Sequence, residues 1–166
     1  LSRGLGDVYK RQAFTDLNKA VMECKGQVTP EFKRLIGYVT SFASGCLYCQ
    51  AHTILGAERF GCTKKRLEEV WNYTNSSAFS NAEKSALDFA FAAASVPNKV
   101  TDKETSQLKN YWNDNDIVEI MGVIALFGFL NRWNDSMGSA LEDLPIEKGE
   151  EHLMKNTNWT PGKHRV

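Results

Sequence analysis

The sequence predicts an all-α fold, a single-domain helical bundle of roughly seven helices. Three observations predict it. Apolar residues recur at helical spacing from Ala13 onward, two segments begin with the spacing of a capping box, and no stretch alternates as a β-strand does. With 166 residues, of which 42% are hydrophobic, the chain is long enough to bury one core.

The N-terminal segment 1–12 is set aside before the elements are assigned. Its part from Asp7 to Gln12 is similar to the translation of a transposon-end adapter used to prepare sequencing libraries, and Leu1 stands where methionine is expected. We therefore expect this segment not to be native. The domain organisation predicted for the remainder is a helical domain over 13–145 and an irregular C-terminal arm over 146–166.

Two helices are predicted ahead of the cysteine-rich stretch. The first has Gly26 as its stop, and its apolar face consists of Phe14, Leu17, Val21 and Cys24. The second begins at Thr29, an N-cap residue, with Pro30 at its first helical position. Its apolar stripe consists of Phe32, Leu35, Ile36, Val39 and Phe42 or Ala43.

A third helix is predicted to carry two cysteines, Cys46 and Cys49, and the histidine that follows three residues later, His52. Gly45 can end the helix before them, and thiols at positions i and i+3 lie close enough for a disulfide. The N–H groups at a helix N-terminus favour thiolate, most strongly at Cys46, which is nearer the start. The pattern predicts a redox dithiol with His52 as a neighbouring base.

Other roles for these side chains are open. The two thiols can be buried core residues, or they can bind zinc together with His52 and Cys62, although ligands from one helix converge poorly. Covalent haem attachment is excluded because it needs a histidine directly after the second cysteine, where Gln50 stands. Cys24 and Cys62 are expected to be bystanders.

Capping residues mark the helices that follow. Thr63 can cap a short helix, and two capping boxes, Ser80 with Glu83 and Thr101 with Glu104, predict two further helix starts. In a capping box each residue of the pair satisfies a backbone N–H group that has no partner within the helix. These starts are therefore fixed by residues three positions apart.

A long apolar helix is predicted after them, starting at Asp114 or Asp116 and running through residues 117–130. It is apolar on nearly every face, which predicts burial on all sides or burial of one side by another subunit. The polar group from Asn131 to Asp135 follows it. This group is predicted to be a structural hydrogen-bond hub at the helix end, with an active-site wall as the alternative.

The composition argues against nucleic acid as a partner and against a membrane span, and it favours a reducing compartment. The formal net charge is zero and no basic cluster stands out, which argues against nucleic acid. No run of about 18 apolar residues is present, which argues against a membrane span. Four cysteines are few for a secreted disulfide framework, so we expect a reducing, cytoplasmic location.

The segments 44–53 and 57–61 resemble the carboxymuconolactone decarboxylase superfamily, specifically its alkylhydroperoxidase-like branch that bears the C-x-x-C motif. Residues 85–90 and the region from Val118 to Asp135 are similar to a subgroup of that branch. The resemblance covers nearly everything after residue 12, and residues 13–145 are therefore expected to form the alkylhydroperoxidase-like domain.

The resemblance implies thiol peroxidase chemistry without a metal or organic cofactor, in a homo-oligomer that is a trimer or hexamer. The implied substrates are hydrogen peroxide and small organic hydroperoxides. In the family, the cysteine that matches Cys49 attacks the hydroperoxide, the one that matches Cys46 resolves the sulfenic acid, and a dithiol or thioredoxin-like donor restores the pair. This role for Cys49 conflicts with the helix-terminus argument for Cys46, and the sequence leaves the conflict open.

Two positions depart from the family pattern. The best-known members place the histidine four residues after the second cysteine, where this chain has Thr53, and helical geometry tolerates His52 one residue earlier. Those members also carry a relay glutamate twelve residues before the first cysteine, and that position is Arg34. We take Glu119 as a candidate replacement for the relay carboxylate and Tyr48 as a candidate pocket residue.

Two alternative functions stay open at this point. One is a cofactor-free enzyme like the decarboxylases that founded the superfamily, which generally lack the dithiol. The other is a non-catalytic redox sensor whose disulfide changes assembly without turnover.

Overall fold

A computed structural model describes residues 5–23 and 26–165, and within these ranges the chain is helical without β-strands, as the sequence predicted. The α-helices are α1 Leu5–Met22, α2 Pro30–Ser44, α3 Leu47–Arg59, α4 Lys64–Glu69, α5 Asn81–Ala94, α6 Asp102–Lys109, α7 Asp114–Met137, α8 Asp143–Gly149 and α9 Lys155–Thr157. The shorter elements are 3-10 turns at Val70–Asn72 and Gly162–His164 and a π-helical segment at Glu150–Met154.

Helix α2 lies at the centre of the bundle and packs against α3, α5 and α7. Its predicted apolar stripe is buried from Phe32 to Val39, with Leu35 and Ile36 fully inaccessible to solvent, whereas Phe42 at its end is exposed. Lys33 is also completely buried, and its ammonium donates to the carbonyl of Val21 at 2.8 Å and lies 3.5 Å from Glu119 Oε2. The buried charge is therefore paired, as burial of an ammonium requires.

The predicted helix starts at capping residues are confirmed, although the Thr63 side chain at the N-cap position of α4 makes no capping hydrogen bond. Thr29 accepts a hydrogen bond from the backbone of Phe32 at the start of α2. The capping boxes predicted for α5 and α6 are both formed. A third one, between Asn113 and Asp116, begins α7 at Asp114, the first of the two predicted starts.

The first helix extends further towards the N-terminus than the sequence predicted. Helix α1 includes residues 5–12, which belong to the segment that we expect not to be native. It packs on α7, where the rings of Phe14 and Phe129 stack with centroids 5.9 Å apart. Cys24, predicted for the apolar face of this helix, lies outside the described residues.

The C-terminal arm differs from the irregular structure predicted for residues 146–166. Helical turns continue from α8 through the π-helical segment to α9, and Leu153 and Trp159 are buried. Gly149 makes room for this packing, because a Cβ atom there would lie 2.5 Å from the Trp159 ring. The arm is ordered by contacts with distant helices, which local periodicity does not reveal.

Among the described helices, none combines the length and the apolar composition that crossing a lipid bilayer requires.

Candidate dithiol site

The dithiol lies at the sharp junction between α2 and α3. Gly45 ends α2 in the left-handed conformation, with φ of 75°, and its N–H donates to the carbonyl of Phe42. Cys46 follows as the N-cap of α3, and its own N–H donates to the carbonyl of Ser41. The prediction that Gly45 separates two helices and that the cysteines open the second is confirmed. The same hydrogen bonds bury Cys46 under the end of α2.

The two sulfurs form a hydrogen-bonded pair of free cysteines. The backbone N–H of Cys49 donates to Cys46 Sγ at 3.4 Å, and both side chains are buried. A hydrogen bond from the Cys49 thiol lowers the pKa of Cys46 below its ordinary value, and backbone N–H groups of Cys49 and Tyr48 lower it further. The same thiol–thiol bond raises the pKa of Cys49, and burial adds to the increase. These contacts and its N-cap position favour the thiolate of Cys46.

Asn134, from the C-terminal end of α7, completes the surroundings of the second sulfur. Its Nδ2 donates to Cys49 Sγ at 3.7 Å, which opposes the rise in the pKa of Cys49. The Ser139 hydroxyl donates to Asn134 Oδ1 at 2.9 Å and so fixes the orientation of the amide. Asn134 thus lies in the wall of the site.

Asn131, one turn earlier on α7, has a different role. It is buried, its Oδ1 accepts from the Ser41 hydroxyl at 2.9 Å, and its Nδ2 donates to the carbonyl of Thr40. Both contacts hold the last turn of α2 against α7. The polar group from Asn131 to Asp135 therefore includes a structural hub and a site wall, the two roles that the sequence suggested as alternatives.

His52 lies one turn after Cys49 and is paired with a carboxylate. Its Nε2 is 3.0 Å from Glu142 Oε2, and its ring packs on that of Tyr48 with centroids 4.4 Å apart. Burial lowers the pKa of His52, while the carboxylate of Glu142 raises it. His52 therefore carries a carboxylate partner that the sequence analysis missed, because Glu142 is 90 residues away and belongs to no local motif.

The ring of Tyr48, which lies between the two cysteines in sequence, packs against the rings of two histidines. Its ring contacts His52 and also His164, whose ring centroid is 5.6 Å away. Burial, followed by the charges of Glu142 and the cysteines, raises the pKa of Tyr48. The phenol is therefore neutral and acts as a packing surface beside the sulfurs.

The last residues of the chain reach the same site. The indole N–H of Trp159 donates to the carbonyl of Leu47, the residue after Cys46, at 3.1 Å. His164 is fully buried, and its Nδ1 donates to the carbonyl of Ser139 at 2.8 Å. These residues were missed because the arm was predicted to be irregular. The only sequence signal was the tryptophan within a segment that lacks helical period.

Glu119, the carboxylate suggested as a relay, is not brought to the dithiol. It lies beside Lys33, fifteen residues before Asn134 on α7, which corresponds to about 22 Å along the helix. Arg34, which occupies the position of the family's relay glutamate, packs its guanidinium over the ring of Phe60 at 4.3 Å. The carboxylate nearest to His52 is instead that of Glu142.

The thiols do not join His52 and Cys62 in a cluster of metal ligands within the described ranges. Cys62 lies beside Glu31, and burial together with that carboxylate raises its pKa to about 12. The three side chains that do come together at ligand spacing are Glu58, Glu151 and His152. The ammonium of Lys148 lies 3.1 Å from Glu58 Oε1 and 2.8 Å from Glu151 Oε2, and so pairs with both carboxylates of this cluster.

Comparison with known proteins places this geometry among related folds. The sequence profile described as the carboxymuconolactone decarboxylase family matches residues 11–92, which include α2 and the dithiol. Among curated proteins, none matches the chain significantly.

Solved structures with the same fold include a debrominase and two proteins described as similar to the alkylhydroperoxidase AhpD. The debrominase Bmp8 has 32% sequence identity over 84% of this chain and 75% of its own, with a TM-score of 0.80. A peroxidase-related protein from Ralstonia eutropha with an alkylhydroperoxidase AhpD core has 24% identity over 83% and 73%, with a TM-score of 0.74. An Agrobacterium tumefaciens protein of unknown function has 17% identity over 86% and 97%, with a TM-score of 0.76.

Proposed function

Because the chain belongs to the carboxymuconolactone decarboxylase family, in its alkylhydroperoxidase-like branch, we propose that it is a thiol-dependent peroxidase. The observation that carries the proposal is the pair of free, buried cysteines at the N-terminus of α3, where the backbone N–H of Cys49 donates to Cys46 Sγ. Hydrogen peroxide or a small organic hydroperoxide is the substrate, and a dithiol or thioredoxin-like protein is the electron donor.

The first attack is assigned to Cys46, because its thiolate is favoured by the bond from the Cys49 thiol. Its sulfur attacks the outer oxygen of the hydroperoxide, the O–O bond breaks, and an alkoxide leaves and takes up a proton. The sulfenic acid on Cys46 is then attacked by Cys49, which forms the disulfide and releases water. One hydroperoxide and two thiols thus give one alcohol, one water and one disulfide. The family resemblance assigned the two sulfurs in the reverse order.

The pair of His52 and Glu142 supplies the proton relay of this proposal. Since burial lowers the pKa of His52, the neutral imidazole is available as a base for the proton of Cys49. The carboxylate of Glu142, 3.0 Å away, stabilises the imidazolium that forms. The imidazolium then donates this proton to the hydroxide that leaves the sulfenic acid, which gives the water of the balanced reaction. Glu142 thereby takes the place of the family carboxylate that Arg34 replaces.

The experiment is a stopped-flow peroxide titration of the reduced protein, with thiol counting, on the wild type and two matched variants. Serine is a good N-cap residue, so Cys46→Ser preserves the start of α3. We expect Cys46→Ser to lose peroxide consumption and Cys49→Ser to trap one sulfenic acid on Cys46. Trapping in Cys46→Ser instead would return the first attack to Cys49. Undiminished turnover in both variants would refute the peroxidase proposal.

A second candidate function is reductive dehalogenation, which the 32% identity to a debrominase favours. A cysteine-to-alanine variant of that protein was crystallised with 2,3,4-tribromopyrrole. Two thiols can supply the two electrons of such a reaction, in which a C–Br bond becomes C–H, bromide leaves and a disulfide forms. Bromide release from 2,3,4-tribromopyrrole by the reduced protein, without peroxide consumption, would select this function over the first.

A further inference from the structure

We propose that the segment Trp159–Arg165 is part of the dithiol site. In this proposal Lys163 balances the charge of Asp135, and His164 is a positioning residue that holds the loop after α7. The inference deepens the proposed function, because it names residues that set the reactivity of the same sulfurs. Its main measurement, the titration of the thiol pair, does not require peroxide to be the substrate.

The segment is seated directly on the first turn of α3. Trp159 is buried, and its indole N–H donates a hydrogen bond to the carbonyl of Leu47. Leu47 lies between the two cysteines in sequence. A Cβ atom at Gly162 would lie 3.0 Å from the Leu47 side chain, so the backbone of the segment approaches α3 closely. His164 then packs its ring against Tyr48. The segment therefore touches both residues that lie between Cys46 and Cys49.

A chain of hydrogen bonds joins His164 to a sulfur. His164 Nδ1 donates to the carbonyl of Ser139 at 2.8 Å, the Ser139 hydroxyl donates to Asn134 Oδ1 at 2.9 Å, and Asn134 Nδ2 donates to Cys49 Sγ at 3.7 Å. The backbone of the segment also accepts from the N–H of Leu141 at 2.8 Å through the carbonyl of His164. The segment therefore holds the loop after α7 in the position that aims Asn134 at the dithiol.

The charges carried by the segment converge on Asp135, the residue after Asn134. Lys163 Nζ lies 3.0 Å from Asp135 Oδ2, and His164 Nε2 lies 3.7 Å from Asp135 Oδ1. The other groups facing His164 are the neutral phenol of Tyr48 and the backbone of Ser139. Arg165 turns towards Glu150, 3.7 Å away, and so does not contribute to the balance at Asp135.

The carboxylate of Asp135 opposes ionisation of the dithiol, because a nearby negative charge raises the pKa of both Cys46 and Cys49. Cations that pair with Asp135 reduce this repulsion. Lys163 therefore increases the fraction of Cys46 thiolate at neutral pH. Without the segment, the carboxylate would face the sulfurs uncompensated.

The test is a titration of the thiolate by its ultraviolet absorbance in the full chain, comparing the wild type with Lys163→Met and Lys163→Arg. Lys163 is more than half exposed, so neither change threatens the fold. We expect Lys163→Met to raise the pKa of Cys46 by about half a unit and to slow its alkylation at neutral pH about threefold. Lys163→Arg keeps the charge and should match the wild type. The difference should shrink in high salt, since the pair is partly exposed.

The same titration in an Asp135→Asn background separates charge balance from folding. Asp135→Asn alone should lower the pKa of Cys46, and Lys163→Met added to it should have no further effect. A structural role of the segment would instead give the same loss in both backgrounds.

Two outcomes would overturn the inference. One is an unchanged thiolate titration in Lys163→Met, and the other is a Lys163→Met effect that persists in the Asp135→Asn background. Either outcome leaves the peroxide stoichiometry of the wild type untouched. Conversely, a protein that fails to consume peroxide but shows the predicted titrations would refute only the proposed function.

Discussion

The difference between the two cysteines arises from single hydrogen bonds. Cys46 caps α3 and accepts the N–H of Cys49, so its sulfur lies where the helix presents partial positive charge. Cys49 lies one turn further along and ionises against the charge already on its neighbour. Two chemically identical side chains three residues apart thus receive opposite pKa shifts. The hydrogen bond between the two side chains is the main cause of this asymmetry, and the backbone N–H groups at the helix start add to it.

Removal of the carboxylate beside His52 should shift the ionisation of His52, and with it the pH profile of the proposed peroxidase activity, in a defined direction. Since Glu142 raises the pKa of His52 and burial lowers it, Glu142→Gln should lower this pKa further. The neutral imidazole then persists to more acidic pH, and the acidic limb of the peroxidase profile should move to lower pH. Titration of His52 by NMR measures the shift directly. Glu147→Gln is the control. Glu147 is exposed on α8, the helix that begins directly after Glu142, and its change should leave His52 unaffected.

The same pair predicts how stability depends on pH. The folded state holds His52 at a pKa below its unfolded value of about 6.5. Between the two pKa values the unfolded chain binds more protons, so the free energy of unfolding falls as the pH drops through this window. Glu142→Gln should widen the window at its acidic end. Chemical denaturation at a series of pH values tests this, and an unchanged pH dependence of the variant would contradict the pairing with Glu142.

Asn134 should affect the second half of the proposed reaction more than the first. Its amide favours the thiolate of Cys49, which must attack the sulfenic acid on Cys46. We expect Asn134→Ala to slow disulfide formation up to about tenfold, the effect of one hydrogen bond, and to let the sulfenic acid accumulate. A sulfenate-trapping reagent in single-turnover experiments measures it. Arg132→Ala, an exposed change two residues earlier, should leave the rate as in the wild type.

The α2–α3 junction depends on the backbone of one glycine. Gly45 has φ of 75°, and a Cβ atom there would meet nothing within 4 Å, so the only cost of a side chain is conformational. We expect Gly45→Ala to destabilise the protein by about 1–2 kcal/mol, the cost of the left-handed conformation for an L-residue. Thermal unfolding monitored by circular dichroism measures the change.

Gly128→Ala is the matched control for this effect. Gly128 lies inside α7 with ordinary helical backbone, and a Cβ atom there would also meet nothing within 4 Å. Alanine should stabilise the helix by up to about 1 kcal/mol, because glycine loses more backbone entropy on folding. Equal effects at the two positions would contradict the argument from the left-handed junction.

Elements specified by neighbouring residues were predictable from the sequence, and those specified by distant ones were not. The capping box of Ser80 and Glu83 satisfies its own N–H groups within one turn, so the sequence alone reveals it. The bond from Trp159 to Leu47 spans 112 residues, and the contact of Glu142 with His52 spans 90. No periodicity encodes such pairings. The position of the dithiol could therefore be predicted, whereas the acid beside His52 and the C-terminal segment could not.

The molecule as a whole leaves one side of its longest helix uncovered. The sequence predicted that α7 is buried all round or completed by another subunit, and in the single chain it exposes an apolar stripe at helical spacing. The stripe consists of Val118, Met121, Ala125, Phe129, Trp133 and Met137. The stripe is continuous along the helix for about 28 Å. On a typical monomer surface, by contrast, exposed apolar residues are scattered singly. We therefore expect this stripe to be the interface of the homo-oligomer that the family resemblance implied.

Single charges in the stripe should separate the subunits without unfolding them. Val118 is 71% exposed and Trp133 58% exposed in the isolated chain, so Val118→Glu and Trp133→Glu remove little from the core. In an oligomer the same carboxylates would be buried without a partner, which is strongly unfavourable. Sedimentation velocity of the reduced protein should show an oligomer for the wild type and smaller species for both variants. Val96→Glu, at an 82% exposed apolar residue outside the stripe, should leave the assembly intact.

A monomeric wild type, or an oligomer insensitive to both charges, would show that α7 is not a subunit interface. Trp133 adjoins Asn134, so dissociation should also perturb the titration of Cys49, and the assembly and the dithiol would then be coupled through one turn of helix.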